Sequence, residues 1–143
     1  MRKMLMCAAI AAFGAMPAHA APADVTLDVT LLEPFVAVPV AGTCAVSIPE
    51  GADGFEVLDA ALGSGCIGSY EATGSENDPF GRFLVCVNDV CDPTGDGTAL
   101  YWRFGVNGQA ASVGLDQFEA ADRDALSVSL TTWAGCLADA SLC

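Results

Sequence analysis

The sequence predicts an α+β domain in which one crossover helix packs on a mixed sheet of four to five strands, stapled by disulfides. Three observations carry that expectation. Apolar and polar residues alternate in several separate runs, as they do in half-buried strands. A single segment, after Asp53, combines helical spacing with a matched start signal. Beyond residue 20 the cysteines are Cys44, Cys66, Cys86, Cys91, Cys136 and Cys143, an even set of the kind exported domains pair.

Export is read from the first residues. Arg2 and Lys3 precede an apolar run from Met4 to Met16, and Ala18-His19-Ala20 supplies a small-x-small cleavage pattern. That run is too short for a transmembrane helix. Residues 1–20 are therefore expected to be a signal peptide and residues 21–143 a single domain, periplasmic or extracellular. Cys7 falls in the discarded segment. Nothing later reaches the length of a membrane span, so no membrane contact is expected after cleavage.

What remains is unusual in its charge. Arg82, Arg103 and Arg123 are the only cations against 18 acidic residues, a net charge of −15, and neither Lys nor His is left. Without His there is no Ser-His or Cys-His pair and no imidazole base. Without Lys there is no Schiff base, and three cations leave no nucleic-acid footprint. The composition argues for a protein that is not an enzyme and requires no cofactor.

The elements follow in order. Val25, Leu27, Val29 and Leu31 alternate with Thr26, Asp28 and Thr30 as a first strand, and Pro34 and Pro39 break the stretch that follows. Thr43–Ile48 makes a second strand, stopped by Pro49-Glu50-Gly51. Asp53 caps a helix with Glu56 at capping-box spacing. Phe55, Leu58, Ala61 and Leu62 are expected to face the core, with Gly63 ending the helix at positive φ. Ile67–Ala72 and Arg82–Val90 read as strands. Ala99–Val106 sets Leu100, Trp102, Phe104 and Val106 against Tyr101, Arg103 and Gly105, and closes at an Asn107-Gly108 turn. Leu115–Ala121 suggests one helical turn, and Leu126, Val128 and Leu130 mark a last strand. This order suits the β-grasp arrangement, in which the crossover makes the first and last strands parallel neighbours.

Six cysteines allow 15 pairings. Cys86 and Cys91 flank Val87-Asn88-Asp89-Val90, whose Asn-Asp pair suits a tight turn, so their sulfurs can meet across a hairpin neck. For the other four, Cys44–Cys66 with Cys136–Cys143 is preferred and the alternatives stay open. A zinc site lacks both a Cys-x-x-Cys pair and a His partner.

Several stretches carry a family resemblance: V-S-I-P-E-G-A-D-G-F-E-V-L-D-A-A-L from Val46, F-G-R-F-L-V-C-V-N-D at 80–89, Y-W-R-F-G-V-N-G at 101–108, and Gly114-Leu115-Asp116. In this order they resemble the transcobalamin-like C-terminal domain, the β-grasp module of vitamin B12 carriers and of secreted bacterial proteins, over about residues 24–132. The resemblance implies a β-grasp fold and, as ligand class, a corrinoid (cobalamin-like) or similar macrocycle. Two departures stand out. Arg123-Asp124 replaces the family's Gly-Asp before the last strand, which puts the shape of that turn in question. The helical barrel of the B12 carriers has no room here, so a corrinoid site would be half of that arrangement, open on one side or completed by a partner such as a helical subunit.

The expected binding residues are Tyr101, Trp102, Asn107, Gly108, Phe80 and Gly81. Tyr101 and the edge of Trp102 would give a flat ligand rigid apolar area beside the hairpin turn, with Phe80-Gly81 as one wall. The plain alternative puts Trp102 in the core and makes Phe80 a loop anchor. Asn88, Asp89, Asp92, Asp96 and Gly97 offer oxygen ligands but lack the twelve-residue calcium loop, and read as solvated loop residues. Glu71 and Glu76 are not placed by sequence at glycosidase spacing. The other functional reading is a secreted protein–protein interaction module that presents an exposed sheet edge to a protein partner.

Overall fold

The computed structural model describes residues 20–31, 38–77, 81–91 and 100–132. The elements are β1 (Pro22–Leu31), β2 (Val38–Pro49), α1 (Gly54–Gly63), β3 (Tyr70–Thr73), β4 (Phe83–Val87), β5 (Val90–Cys91), β6 (Leu100–Val106), β7 (Gln109–Ala110), a 3₁₀ turn at Leu115–Gln117, and β8 (Ala125–Thr132). Residues 1–19, Pro34, Pro79, Phe80, Asp92, Asp96, Gly97, Cys136 and Cys143 lie outside the described residues, and with them the signal peptide and the Cys136–Cys143 pairing. Among the described residues no helix is long and apolar enough to cross a membrane.

The main sheet has the order β2-β1-β8-β6-β7. β1 and β2 form an antiparallel hairpin, and β1 then runs parallel to β8, with Leu27 beside Leu126 and Val29 beside Val128. This is the expected α+β architecture, with the first and last strands as parallel neighbours across the helix crossover. Alternation sorts the side chains cleanly. Val25, Leu27, Val29, Cys44, Val46, Ile48, Leu126 and Val128 are buried in one core on the inner face. On the outer face lie Thr26, Asp28, Thr43, Ser47, Ser127, Ser129, Tyr101 and Arg103, assigned by their registers opposite the inner set.

Helix α1 covers part of the inner face. Its ten residues would be marginal alone in water, so packing has to hold it. Asp53 and Glu56 close the expected capping box, each accepting the other's backbone N–H at 2.8 Å. Phe55, Val57, Leu58 and Ala61 are buried, each worth about 1.5–3 kcal/mol of transfer free energy for the larger side chains. Two details of the expected helix are corrected. Leu62 is 39 % exposed, one position off the buried stripe. The helix ends two residues later than a Gly63 stop implies: Ser64 stays right-handed as the cap, and Gly65 takes the left-handed conformation at φ +74°.

The segments expected to extend the main sheet instead form a second one, β3-β4-β5. Within it the Asn88-Asp89 pair, with φ values of +50° and +62°, turns β4 back onto β5 after two residues. Cys86 and Cys91 stand directly opposite each other in that hairpin and are bonded. Cys44 of β2 is bonded to Cys66 just after α1, tying the helix exit to the sheet. The small sheet sits beside the helix on the inner side, since Leu84, Val87 and Ile67 join the same core.

Candidate functional site

Two polar regions flank β6, one on each side of the main sheet. On the inner side, the start of β4 meets the helix N-terminus and the 3₁₀ turn. Arg82 lies at the centre. Its backbone N–H donates to Asp116 Oδ2, its Nε donates to Asp116 Oδ1 at 2.8 Å, and its Nη2 lies 2.7 Å from the same oxygen. Asp53 and Glu76 stand 3.6 Å away, and the guanidinium carbon lies 4.0 Å from the centre of the Phe55 ring. Burial works against the guanidinium charge, yet Asp116, with Asp53 and Glu76 behind it, raises the pKa further above its ordinary value. Tyr70 extends the cluster: its ring centre is 6.1 Å from that of Phe55, and its hydroxyl donates to Asp59 at 2.6 Å. Burial, then the Asp59 hydrogen bond, pushes the phenol up to about 12.

Gly81 belongs to this inner junction. It is buried at φ +70°, and a Cβ there would come within 2.6 Å of Asp116 Oδ2. A side chain would therefore push the carboxylate off Arg82. Trp102 also faces inward, partly buried against the core, and its Nε1 donates to the Val85 carbonyl at 2.9 Å. That bond joins the two sheets.

On the outer side, Tyr101 is half-buried opposite Thr131, and Arg103 stands opposite Ser129. Burial raises the Tyr101 pKa, while the nearby charge of Arg103 works in the other direction. Ser129 and Thr30 share a hydroxyl–hydroxyl hydrogen bond of 3.1 Å. The Nε of Arg103 and the Oγ1 of Thr131 are buried without a hydrogen-bond partner.

The expected binding residues are thus spread over three places. Tyr101 faces outward, whereas Trp102 and Gly81 face inward, so strand alternation keeps them from one shared surface. Asn107 and Gly108 form the β6–β7 turn, with φ values of +52° and +79°. The Asn107 side chain is committed to the frame: Nδ2 donates to Asp124 Oδ1 and Oδ1 accepts from the Ala125 N–H, both at 2.9 Å. Gly108 is exposed. Phe80 is outside the described residues. The turn before β8 keeps a glycine-like conformation despite its Arg, since Arg123 sits at φ +69° with a side chain 91 % exposed.

Arg82 and Asp116 were hidden by distance in sequence, 34 residues apart. The signal that would have found them is the scarcity of cations: each of three arginines among 18 acids has many possible partners. A shallow depression of about 400 Å³ lies at the far corner of the sheet, lined by Asp24, Thr26, Ala45 and Ser47 with Val25 and Val46. It includes none of the expected residues. Among the described residues no group of three or more His, Cys, Asp or Glu could hold a metal ion.

No protein-family model matches the sequence, and no curated protein is significantly similar. The fold does have solved counterparts. Haptocorrin, crystallised in complex with Cbi, superposes with a TM-score of 0.62 at 17 % identity, covering 79 % of this chain and 26 % of haptocorrin. A protein of Ruminococcus gnavus ATCC 29149, named as a candidate metal-binding protein, gives a TM-score of 0.52 at 17 % identity, covering 77 % of this chain and 97 % of that one. This chain therefore has the fold of a segment about a quarter the length of haptocorrin, and that fold also makes up almost the whole of a bacterial chain.

Proposed function

We propose that this is an exported, non-catalytic ligand-binding module whose ligand is a corrinoid or a similar macrocycle. The observation that carries the reading is the fold shared with haptocorrin in complex with Cbi over 79 % of this chain. The two disulfides support an oxidising location outside the cytoplasm. The absence of Lys and His beyond residue 20 supports binding without catalysis.

Since the chain matches only about a quarter of haptocorrin, the ligand would be held on an open face or closed in by a second protein. Two faces offer aromatic area for it. Tyr101 stands on the outer side, beside the hairpin that ends in Gly108. Phe83, 54 % exposed on β4, offers a second platform that alternation alone did not single out. Asn107 serves by holding the hairpin rigid.

Titration of the purified, oxidised protein with cobinamide and with cobalamin tests this, followed by absorbance and tryptophan fluorescence. Saturable binding is expected. Loss on Tyr101→Ala places the ligand on the outer face, and loss on Phe83→Ala places it beside the small sheet. Absence of saturable change with either corrinoid overturns the ligand class and leaves the fold standing.

A second reading has its own observation. β2, twelve residues long, is a terminal strand of the main sheet and, among the described residues, pairs on one side only, with β1. A partner strand could add there through backbone hydrogen bonds. Copurification of a partner that competes with a β2-derived peptide would favour this interaction module.

A further inference from the structure

We infer that the β1–β2 corner of the main sheet receives an extended segment of a basic protein partner, whose Lys or Arg side chains, four residues apart, reach across β2 to Asp24 and Asp28. This rests on the strand-addition reading of β2 and names the chemistry of the partner.

The corner is open to solvent. Asp24, Thr26, Thr43, Ala45 and Ser47 are all exposed, whereas Ser129 and Thr131 on the same face are buried. The depression of about 400 Å³ lies here, over Asp24, Thr26, Ala45 and Ser47. It has a simple cause in the sequence: β2 sets only Thr43, Ala45 and Ser47 on this face, and none of these side chains is large.

The carboxylates of the corner are not neutralised. Neither Asp24 nor Asp28 forms an ion pair among the described residues. Asp28 accepts from Thr43 Oγ1 at 2.6 Å, and the backbone N–H of Asp24 donates to Asp122 Oδ1 at 3.2 Å. No Lys, Arg or His stands between residue 21 and Arg82. Arg123 touches the corner through its backbone N–H, which donates to the Asp24 carbonyl at 2.8 Å, while its side chain projects into solvent beside Asp122.

Register fixes what the partner must carry. Asp24 is opposite Ser47 and Asp28 is opposite Thr43, so the two carboxylates repeat every four residues behind β2. A strand added to β2 would run about 4.8 Å from it and about 9.6 Å from β1. Its residues opposite Ser47 and Thr43 point to the same face, also four apart. A Lys or Arg at each can lay its aliphatic stem over the small side chain of β2 and set its charge beside a carboxylate of β1. A second copy of this chain does not fit, because its β2 holds no basic residue and would bring another Asp24 and Asp28. The excess of acidic residues over the whole chain draws a basic partner to the corner from a distance.

The test uses the oxidised protein, isotopically labelled, with the backbone amides of Thr43–Ile48 followed by NMR. The probe is a capped seven-residue peptide of Thr and Val with Lys at its second and sixth positions. Two controls carry Gln at those positions, or Lys at the second and fifth, which lie on opposite faces of a strand. The β2 amides are expected to move saturably with the first peptide, and both controls are expected to bind several-fold more weakly. Asp24→Asn with Asp28→Asn, which keeps both shapes and removes both charges, is expected to weaken the first peptide about tenfold and to leave the Gln peptide unchanged. Equal binding of the Lys and Gln peptides would leave strand addition standing and overturn the basic partner. Equal binding of the two Lys peptides would overturn the assignment to Asp24 and Asp28. Movement of acidic residues elsewhere with motionless β2 amides would mean charge attraction alone and would overturn the site. Motionless β2 amides with every peptide would overturn the strand-addition reading itself.

Discussion

Arg82 and Arg103 carry the same group in the same small domain, on opposite sides of one sheet, and their surroundings are reversed. Arg82 is enclosed by three carboxylates and an aromatic ring, drawn from the N-terminus of α1, the loop after β3 and the 3₁₀ turn. Arg103 has a buried nitrogen that meets no acceptor. The first arrangement consumes a cation to lock α1, β4 and the 3₁₀ turn together. The second leaves a half-buried guanidinium without an ion pair among the described residues. In a chain so short of positive charge, the difference separates an arginine that ties elements together from one that makes no ion pair among the described residues.

The comparison breaks first, and by most, at Arg82. Arg82→Ala removes the side-chain donors to Asp116, itself only 12 % exposed, leaving the backbone N–H of residue 82, and strips the cation from Phe55. Losing charge-assisted hydrogen bonds and leaving that carboxylate largely unpaired is expected to cost about 3 kcal/mol, read from the urea unfolding midpoint. A cost below about 0.5 kcal/mol would show that the contacts of Arg82 are no stronger than those of an exposed ion pair.

The same junction predicts an alkaline limit. Tyr70 has a folded-state pKa of about 12 against an ordinary value of 10.0, raised by burial and by the Asp59 carboxylate. Its contribution is therefore fully present below about pH 10 and is lost as pH rises toward 12. Denaturation midpoints of the wild type should fall across that window, and Tyr70→Phe should flatten much of the fall. Phenolate absorbance distinguishes this group from Tyr101, the only other tyrosine. An equally steep fall in Tyr70→Phe would remove Tyr70 from the account.

How much of this was legible in the sequence depends on the range of each interaction. The alternation of Val25, Leu27 and Val29, the Asp53–Glu56 capping box and the Cys86–Cys91 neck are all local, and each appears in the structure. The end of α1 was misplaced by two residues because Ser64 and Gly65 compete with Gly63 for the same terminus. Arg82 and Asp116 are a non-local pair, and no periodicity reports on such pairs.

The stretches that carry the family resemblance have a common physical role. Gly81-Arg82 and Asp116 meet at the inner junction, and Asn107 clamps the turn before β8 through Asp124 and Ala125. The Pro49-Glu50-Gly51 turn is bonded to Ala21 and Ala120. These residues hold the frame, so they identify a fold more strongly than a ligand. The binding set inferred from them was accordingly dispersed: Asn107 and Gly81 have structural tasks, and Tyr101 points away from both Gly81 and Trp102.

The smallest effects sharpen the comparison from the outer side. Thr131→Val keeps the shape of a fully buried side chain and deletes a hydroxyl that has no partner. It is expected to leave stability unchanged or to raise it by about 1 kcal/mol. Arg103→Gln should fall within about 0.5 kcal/mol of wild type in denaturant unfolding, because no ion pair is lost and a desolvated charge is relieved. If Arg103→Gln instead destabilised the protein as much as Arg82→Ala, both arginines would belong to the frame.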